Sequence, residues 1–227
     1  MTRKEFNKIE NYMLKQMKDS AHDKYHIYRV LYSALDIAET ENDVDLDVLI
    51  AACLLHDIGR QKQFENLELC HAKIGSEMAY EYLIQNNWNP DKAQHVKNCI
   101  HSHRYRKENE PGSIEAKILF DADKLDVTGA LGIARTLAYG SQISEPLYIL
   151  NENNEIVVES TDAELSSFFQ EYNYKLRDVY NKFYTKRAKQ ISTKNQKTAS
   201  EFYDSLLSQI SKNQQIGLSK LQMILNE

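Results

Sequence analysis

Eight consecutive apolar residues, Val48 to Leu55 (VLIAACLL), lie between Asp45-Leu46-Asp47 and His56-Asp57. A helix over this run is apolar on every side, so it predicts a central, buried helix with others packed around it. Gly59 is the expected stop signal. The rest of the chain agrees with a helical reading. Gly and Pro together supply ten of 227 residues, about a third of the roughly 12% found in average proteins. So few breakers argue against a turn-rich β-sandwich or barrel and for long helices.

Periodicity places those helices. Phe6, Ile9, Met13 and Met17 share one face of a helix over 2–19,. Asp23 is a candidate cap for a second helix carrying Ile27, Val30, Leu31, Ala34, Leu35 and Ala38,. Another amphipathic stretch fills 67–86. Asn89-Pro90-Asp91 starts a helix that points Val96, Cys99 and Ile100 inward,. Pro111-Gly112 marks a loop, and helix resumes near Ile114, then over 129–139, 163–182 and 186–225. Leu147–Leu150 and Ile156–Val158 flank the polar NENNE and predict one short β-hairpin near 147–158,. The expectation is one all-α domain over 1–227, with a core of about 20–140 and C-terminal helices over about 163–225.

Charge and cysteine content narrow the function. A net charge of −5 disfavours a stable nucleic-acid partner, although a small phosphorylated ligand needs only a few local cations. Mean hydropathy is −0.59, and no apolar run approaches the roughly 18 residues of a membrane span. The N-terminus shows no secretory pattern. Cys53, Cys70 and Cys99 form no C-x-x-C pair. An odd, sparse set fits a reducing cytoplasm.

The chemistry centres on His56-Asp57. A carboxylate at the end of a buried helix is costly unless it is paired or bound to a metal. Imidazole and carboxylate together suit Mn²⁺, Fe²⁺, Ni²⁺, Zn²⁺ or, less well, Mg²⁺. Two ligands are too few, and His26 and Asp123, each on another helix, are the natural additions.

The order His26, His56-Asp57, Asp123, in the strings AHDKYHIYRV, AACLLHDIGR and KILFDADKLDVTGALGIARTLAYG, resembles the HD-domain phosphohydrolases. These are all-helical, metal-dependent hydrolases of phosphoric esters and anhydrides. The likeness is to the small stand-alone bacterial members that act on nucleotides. It runs from about residue 20 to 210 and includes the basic helices after Phe168. The resemblance implies metal ligands at His26, His56, Asp57 and Asp123, with Mn²⁺ favoured. It also implies cleavage of a (deoxy)nucleoside triphosphate to monophosphate and pyrophosphate. Asp57 would orient the attacking water. His71 and His101 stand where some relatives hold a second metal. One metal is the preferred reading, with His71 or His101 touching substrate and protonating the leaving phosphate. Among the cations, Lys62 and Lys124 are the first candidates for phosphate contact, followed by Arg60, Arg104 and Arg135.

Three enzymatic alternatives differ in motif. Relatives cleaving nucleoside monophosphates carry Glu where Arg60 stands. Alarmone hydrolases carry a Glu-Asp pair that IGRQKQFEN lacks. Cyclic-dinucleotide phosphodiesterases carry a Gly-Tyr-Pro motif that is absent, although His71 and His101 keep a dinuclear site open. A non-catalytic nucleotide-binding module is the remaining class. Other residues have plainer readings. His22 and His95 read as solvated, and one of His101 and His103 must face outward. Asp121 and Asp126 either cap a helix or hydrogen-bond a ligating histidine. The basic stretch 175–197 reads as a solvated face, and Tyr172, Tyr174, Tyr180 and Tyr184 as packing residues.

Overall fold

A computed structural model describes residues 1–17, 24–104, 109–159 and 167–225 of the chain. The candidate cap Asp23 and the histidine His22 lie outside those residues. Among the described residues there are helices and a single isolated β-bridge, and no helix is long and apolar enough to cross a membrane. The chain divides into two compact units, Met1–Asp126 with Phe183–Lys189, and Val127–Lys182 with Gln190–Glu227.

The first unit holds α1 (Arg3–Gln16), α2 (Lys24–Ala38), α3 (Leu46–Leu55), α4 (Arg60–Glu65), α5 (His71–Gln85), α6 (Pro90–Ser102) and α7 (Ile114–Leu125). The caps follow from sequence. Thr2 and Glu5 form a capping box, Asp45 accepts from the amides of Asp47 and Val48, Asn89 from those of Asp91 and Lys92, and Ser113 from that of Ala116,. The apolar run forms α3, with Val48, Leu49 and Ala51 to Leu55 buried against α1, α2, α5, α6 and α7. Burial of each of its larger side chains is worth about 1.5–3 kcal/mol.

Gly59 does not end α3. The helix stops at Leu55, His56 is its C-cap, and Gly59 instead precedes α4 with an ordinary φ of −83°. Its role is close approach. A Cβ there would lie 2.3 Å from the His71 carbonyl oxygen and 2.7 Å from the Gly75 amide nitrogen. The turn after α3 and the start of α5 thus touch backbone to backbone, bringing His71 beside Asp57. The early part of the expected 67–86 helix is a turn, and α4 is an element the periodicity did not predict.

Asp121 is fully buried and accepts from the Tyr184 amide at 2.9 Å, the Thr185 amide at 2.7 Å and the Thr185 hydroxyl at 2.6 Å. This clamps 183–189 onto α7, where Tyr184 also meets Phe120 edge to face.

The second unit contains α8 (Gly129–Gln142), α9 (Phe168–Tyr174), a 3-10 helix (Leu176–Asn181) and most of α10 (Lys186–Leu225). Its core comprises Ile133, Phe168, Phe169, Tyr172, Ala199 and Tyr203, with Tyr172 stacked on Tyr203 at 4.3 Å. Tyr172 is a packing residue as expected, whereas Tyr174 is exposed. The described part of the expected 163–182 helix breaks at Lys175 into α9 and the 3-10 turn. The expected hairpin reduces to one antiparallel bridge, Leu150 to Ile156. The intervening turn is closed by the Asn151 side chain, which accepts from the amides of Asn153 and Glu155.

Candidate metal centre

Three helices of the first unit bring polar residues to one place. α2 supplies His26, the turn after α3 supplies His56 and Asp57, and α7 supplies Asp123. His26 Nε2 lies 3.3 Å from His56 Nε2, 3.6 Å from Asp57 Oδ2 and 3.5 Å from Asp123 Oδ1. His56 Nε2 lies 3.7 Å from Asp57 Oδ2 and 4.0 Å from Asp123 Oδ1. Four donor atoms from three parts of the sequence therefore face one another, with His26, His56 and Asp57 buried.

A second group adjoins the first through Asp57. Its other oxygen, Oδ1, lies 3.6 Å from His71 Nε2 and 3.7 Å from His103 Nε2. Asp57, His71 and His103 form one possible metal-holding group and His26, His56 and Asp123 another, the ligand atoms of each lying within 4.8 Å. One carboxylate faces both.

Hydrogen bonds at the far ring nitrogens fix these imidazoles. His56 Nδ1 donates to the Cys53 carbonyl at 2.8 Å, His103 Nδ1 to the Ile100 carbonyl at 2.6 Å, and His71 Nδ1 to Gln63 Oε1 at 2.6 Å. A carbonyl can only accept, so the proton sits on Nδ1 and Nε2 turns a lone pair inward. His26 Nδ1 donates to Asp126 Oδ2 at 2.7 Å, and Arg29 holds Asp126 through two further bonds. Of the two ambiguous aspartates, Asp126 is thus the one that orients a histidine, and Asp121 serves the clamp.

The electrostatics follow from burial and neighbours. Burial pulls His56 down to about 4. Burial and the Arg60 charge bring His71 to about 3. Burial opposes protonation of His26 too, but the hydrogen bond to Asp126 and the nearby carboxylates of Asp57 and Asp123 outweigh it and hold His26 at about 9. Burial disfavours the Asp57 charge, yet the nearby His56, the Arg60 guanidinium and the rings of His103 and His26 keep it ionised, well below the usual range.

The residues fit a divalent cation. Among the described residues, Asp57 Oδ2 and His71 Nε2 are buried without a hydrogen-bond partner. Leaving a carboxylate oxygen and an imidazole lone pair in that state is costly. A divalent cation held between them satisfies both atoms at once. Two imidazole nitrogens and two carboxylate oxygens suit Mn²⁺, Fe²⁺, Ni²⁺ or Zn²⁺.

Other expected site residues sort differently. His101 is exposed and lines a separate cavity of about 450 Å³ with His95, Asn98 and Asn109. It is His103 that turns inward, because Val96, Cys99, Ile100 and His103 follow the three-and-four spacing of one helix face. His71 Nε2 faces Asp57 Oδ1 at 3.6 Å, and burial and the Arg60 charge disfavour a proton on the ring. His95 is not freely solvated, since it meets Ser113 Oγ at 2.9 Å and Glu115 Oε2 at 3.1 Å. Among the cations, Arg60 Nε donates to Asp57 Oδ1 at 3.0 Å, and Arg104 adds its field at His71. Lys62 is exposed on α4, Lys124 lies over the Phe120 ring, and Arg135 belongs to α8 of the second unit. Gln63 carried no motif signal. Arg29 stands in the quoted YHIYRV string, but its place beside Asp126 depends on a contact across 97 residues.

Comparison with known proteins gives the same picture. Residues 24–128 match the HD domain family model. YpgQ of Bacillus subtilis (strain 168) is 32% identical over 135 residues, a segment spanning 58% of this chain and 63% of YpgQ. The crystal structure of YpgQ in complex with ADP is similar with a TM-score of 0.69 and 25% identity, covering 90% of this chain and 97% of that one. An HD-superfamily hydrolase from Bacillus thuringiensis is similar with a TM-score of 0.70 and 25% identity, covering 92% and 98%. The chain is thus homologous to YpgQ, and its residues 24–128 belong to the HD-domain family.

Proposed function

We propose that this chain is a metal-dependent phosphohydrolase acting on nucleotides, cleaving (deoxy)nucleoside triphosphates to monophosphate and pyrophosphate. The observation that carries the reading is that His26 Nε2 and His56 Nε2 lie 3.3 Å apart, each within 3.5–4.0 Å of a carboxylate oxygen of Asp57 and of Asp123. The nucleotide class is supported by the ADP in the YpgQ complex. We assign His26, His56, Asp57 and Asp123 to one divalent ion, Mn²⁺ ahead of Mg²⁺, Ni²⁺, Fe²⁺ and Zn²⁺. Such an ion lowers the pKa of a water and offsets charge on the phosphoryl group. Asp57 orients the attacking water. Arg60 and Arg104 hold the phosphates by charge-assisted hydrogen bonds. Pyrophosphate leaves readily as an anion, so the reaction needs no acid from His71. The odd, sparse cysteine set supports a cytoplasmic location.

A panel of nucleotides incubated with Mn²⁺, with products separated by chromatography, tests this. The expected products are monophosphate and pyrophosphate, abolished by EDTA and in Asp57→Asn. Diphosphate and inorganic phosphate would show cleavage of a different bond. Tight nucleotide binding without turnover would make the chain a binding module.

A further inference from the structure

Around Asp57 Oδ1 the structure gathers two acceptors and one cation. His71 Nε2 and His103 Nε2 approach at 3.6 and 3.7 Å, each bare because its Nδ1 donates elsewhere. Among the described residues, Arg60 alone donates a hydrogen bond to this oxygen, from Nε at 3.0 Å. The guanidinium is always charged. Arg60 is the first residue of α4, and its side chain is 32% exposed, against none for Asp57. It thus reaches a buried oxygen from the open side of the site.

We propose that Arg60 stands in for a second divalent ion. Its guanidinium neutralises Asp57 Oδ1 where an ion shared by Asp57, His71 and His103 would otherwise sit, so the resting chain holds one ion. This inference rests on the phosphohydrolase reading for the first ion. Two cations on one carboxylate oxygen repel, and in the resting chain a guanidinium tethered to α4 already occupies that oxygen, whereas a free ion pays an entropic cost to arrive. His71 and His103 are then a preformed but blocked pair of ligands, oriented by Gln63 and by the Ile100 carbonyl. An anionic phosphate entering from the open side offers Arg60 an alternative partner. Specificity for a one-ion or two-ion site thus resides in one side chain.

The test is metal stoichiometry, read without activity. Wild type, Arg60→Gln and Arg60→Lys are loaded with Mn²⁺ and desalted. Metal is then counted by mass spectrometry, and its electron paramagnetic resonance spectrum is recorded. We expect one ion per chain in wild type and in Arg60→Lys. We expect two in Arg60→Gln, with a spin-coupled spectrum, falling back to one when His71→Ala is added. Circular dichroism checks that each variant is folded. Arg60→Ala supplies a second neutral variant should Arg60→Gln fail to fold. Two ions in wild type, or one in both neutral variants, would overturn this inference and leave the phosphohydrolase reading standing. No ion in any of them would overturn both.

Discussion

Asp126 shows how a buried charge can govern a site it does not enter. Its carboxylate accepts from His26 Nδ1 and from Arg29 at once, so the guanidinium offsets its charge while the imidazole is held in place. Removing such a partner weakens metal binding by about 10–100-fold. Asp126→Ala should therefore lower Mn²⁺ affinity by that factor, measured by competition with a fluorescent chelator. Asp121→Ala, on the same helix but outside the site, should leave affinity unchanged per folded molecule. The histidines of α6 make a sharper pair. His101→Ala should alter neither metal binding nor turnover, because the ring is exposed. His103→Ala should impair turnover by removing a ring 5.2 Å from His56 and 5.4 Å from His71. The clue to this assignment was already in the chain, since Val96, Cys99 and Ile100 define a face to which 103 belongs and 101 does not. The resemblance to relatives with a second metal directed attention to His101 instead. No pattern announces Gln63, whose partnership with His71 depends on a turn that Gly59 and Gly75 make by close backbone contact.

Among the elements, legibility followed the source of stability. α3 was readable because eight apolar residues in a row can be buried only as a centre, and α6 because Asn89-Pro90 is a local start signal. α4 was missed because six residues with no buried member have no periodic face. The break of the expected 163–182 helix at Lys175 and the reduction of the hairpin to one bridge share a cause. Both lie where side chains such as Phe169 and Tyr172 are committed to a local aromatic core, so tertiary packing overrides propensity. The segment 183–189 has a different anchor. Asp121 closes three bonds to Tyr184 and Thr185, and both Asp121 and Thr185 are buried. Asp121→Ala strands three donors, each worth about 1–3 kcal/mol when buried unpaired. With some rescue by water, the expected loss is about 3 kcal/mol, measured by urea denaturation. A loss under about 1 kcal/mol would show that the clamp contributes little.

For the whole molecule, the centre is a stability device as well as a reactive one. Its ligands come from α2, from the end of α3 and from α7, so an ion shared by them joins segments up to 97 residues apart in sequence, from His26 to Asp123. In the metal-free chain the same place concentrates carboxylates and unpaired lone pairs, which oppose folding. A ligand bound only by the folded state stabilises it by about 2.7 kcal/mol at a hundred times its dissociation constant. For a chain of this size that corresponds to a rise of roughly 5–11 °C in melting temperature. The chain carries one tryptophan, Trp88, which follows α5 within the first unit. Its fluorescence therefore reports the unit that holds the centre. Saturating Mn²⁺ should raise the Trp88 transition by that amount, and EDTA should reverse the rise. Asp57→Asn should show little shift, because it weakens the carboxylate that faces both groups of ligands. An equal rise in Asp57→Asn would place the stabilising ion elsewhere in the chain.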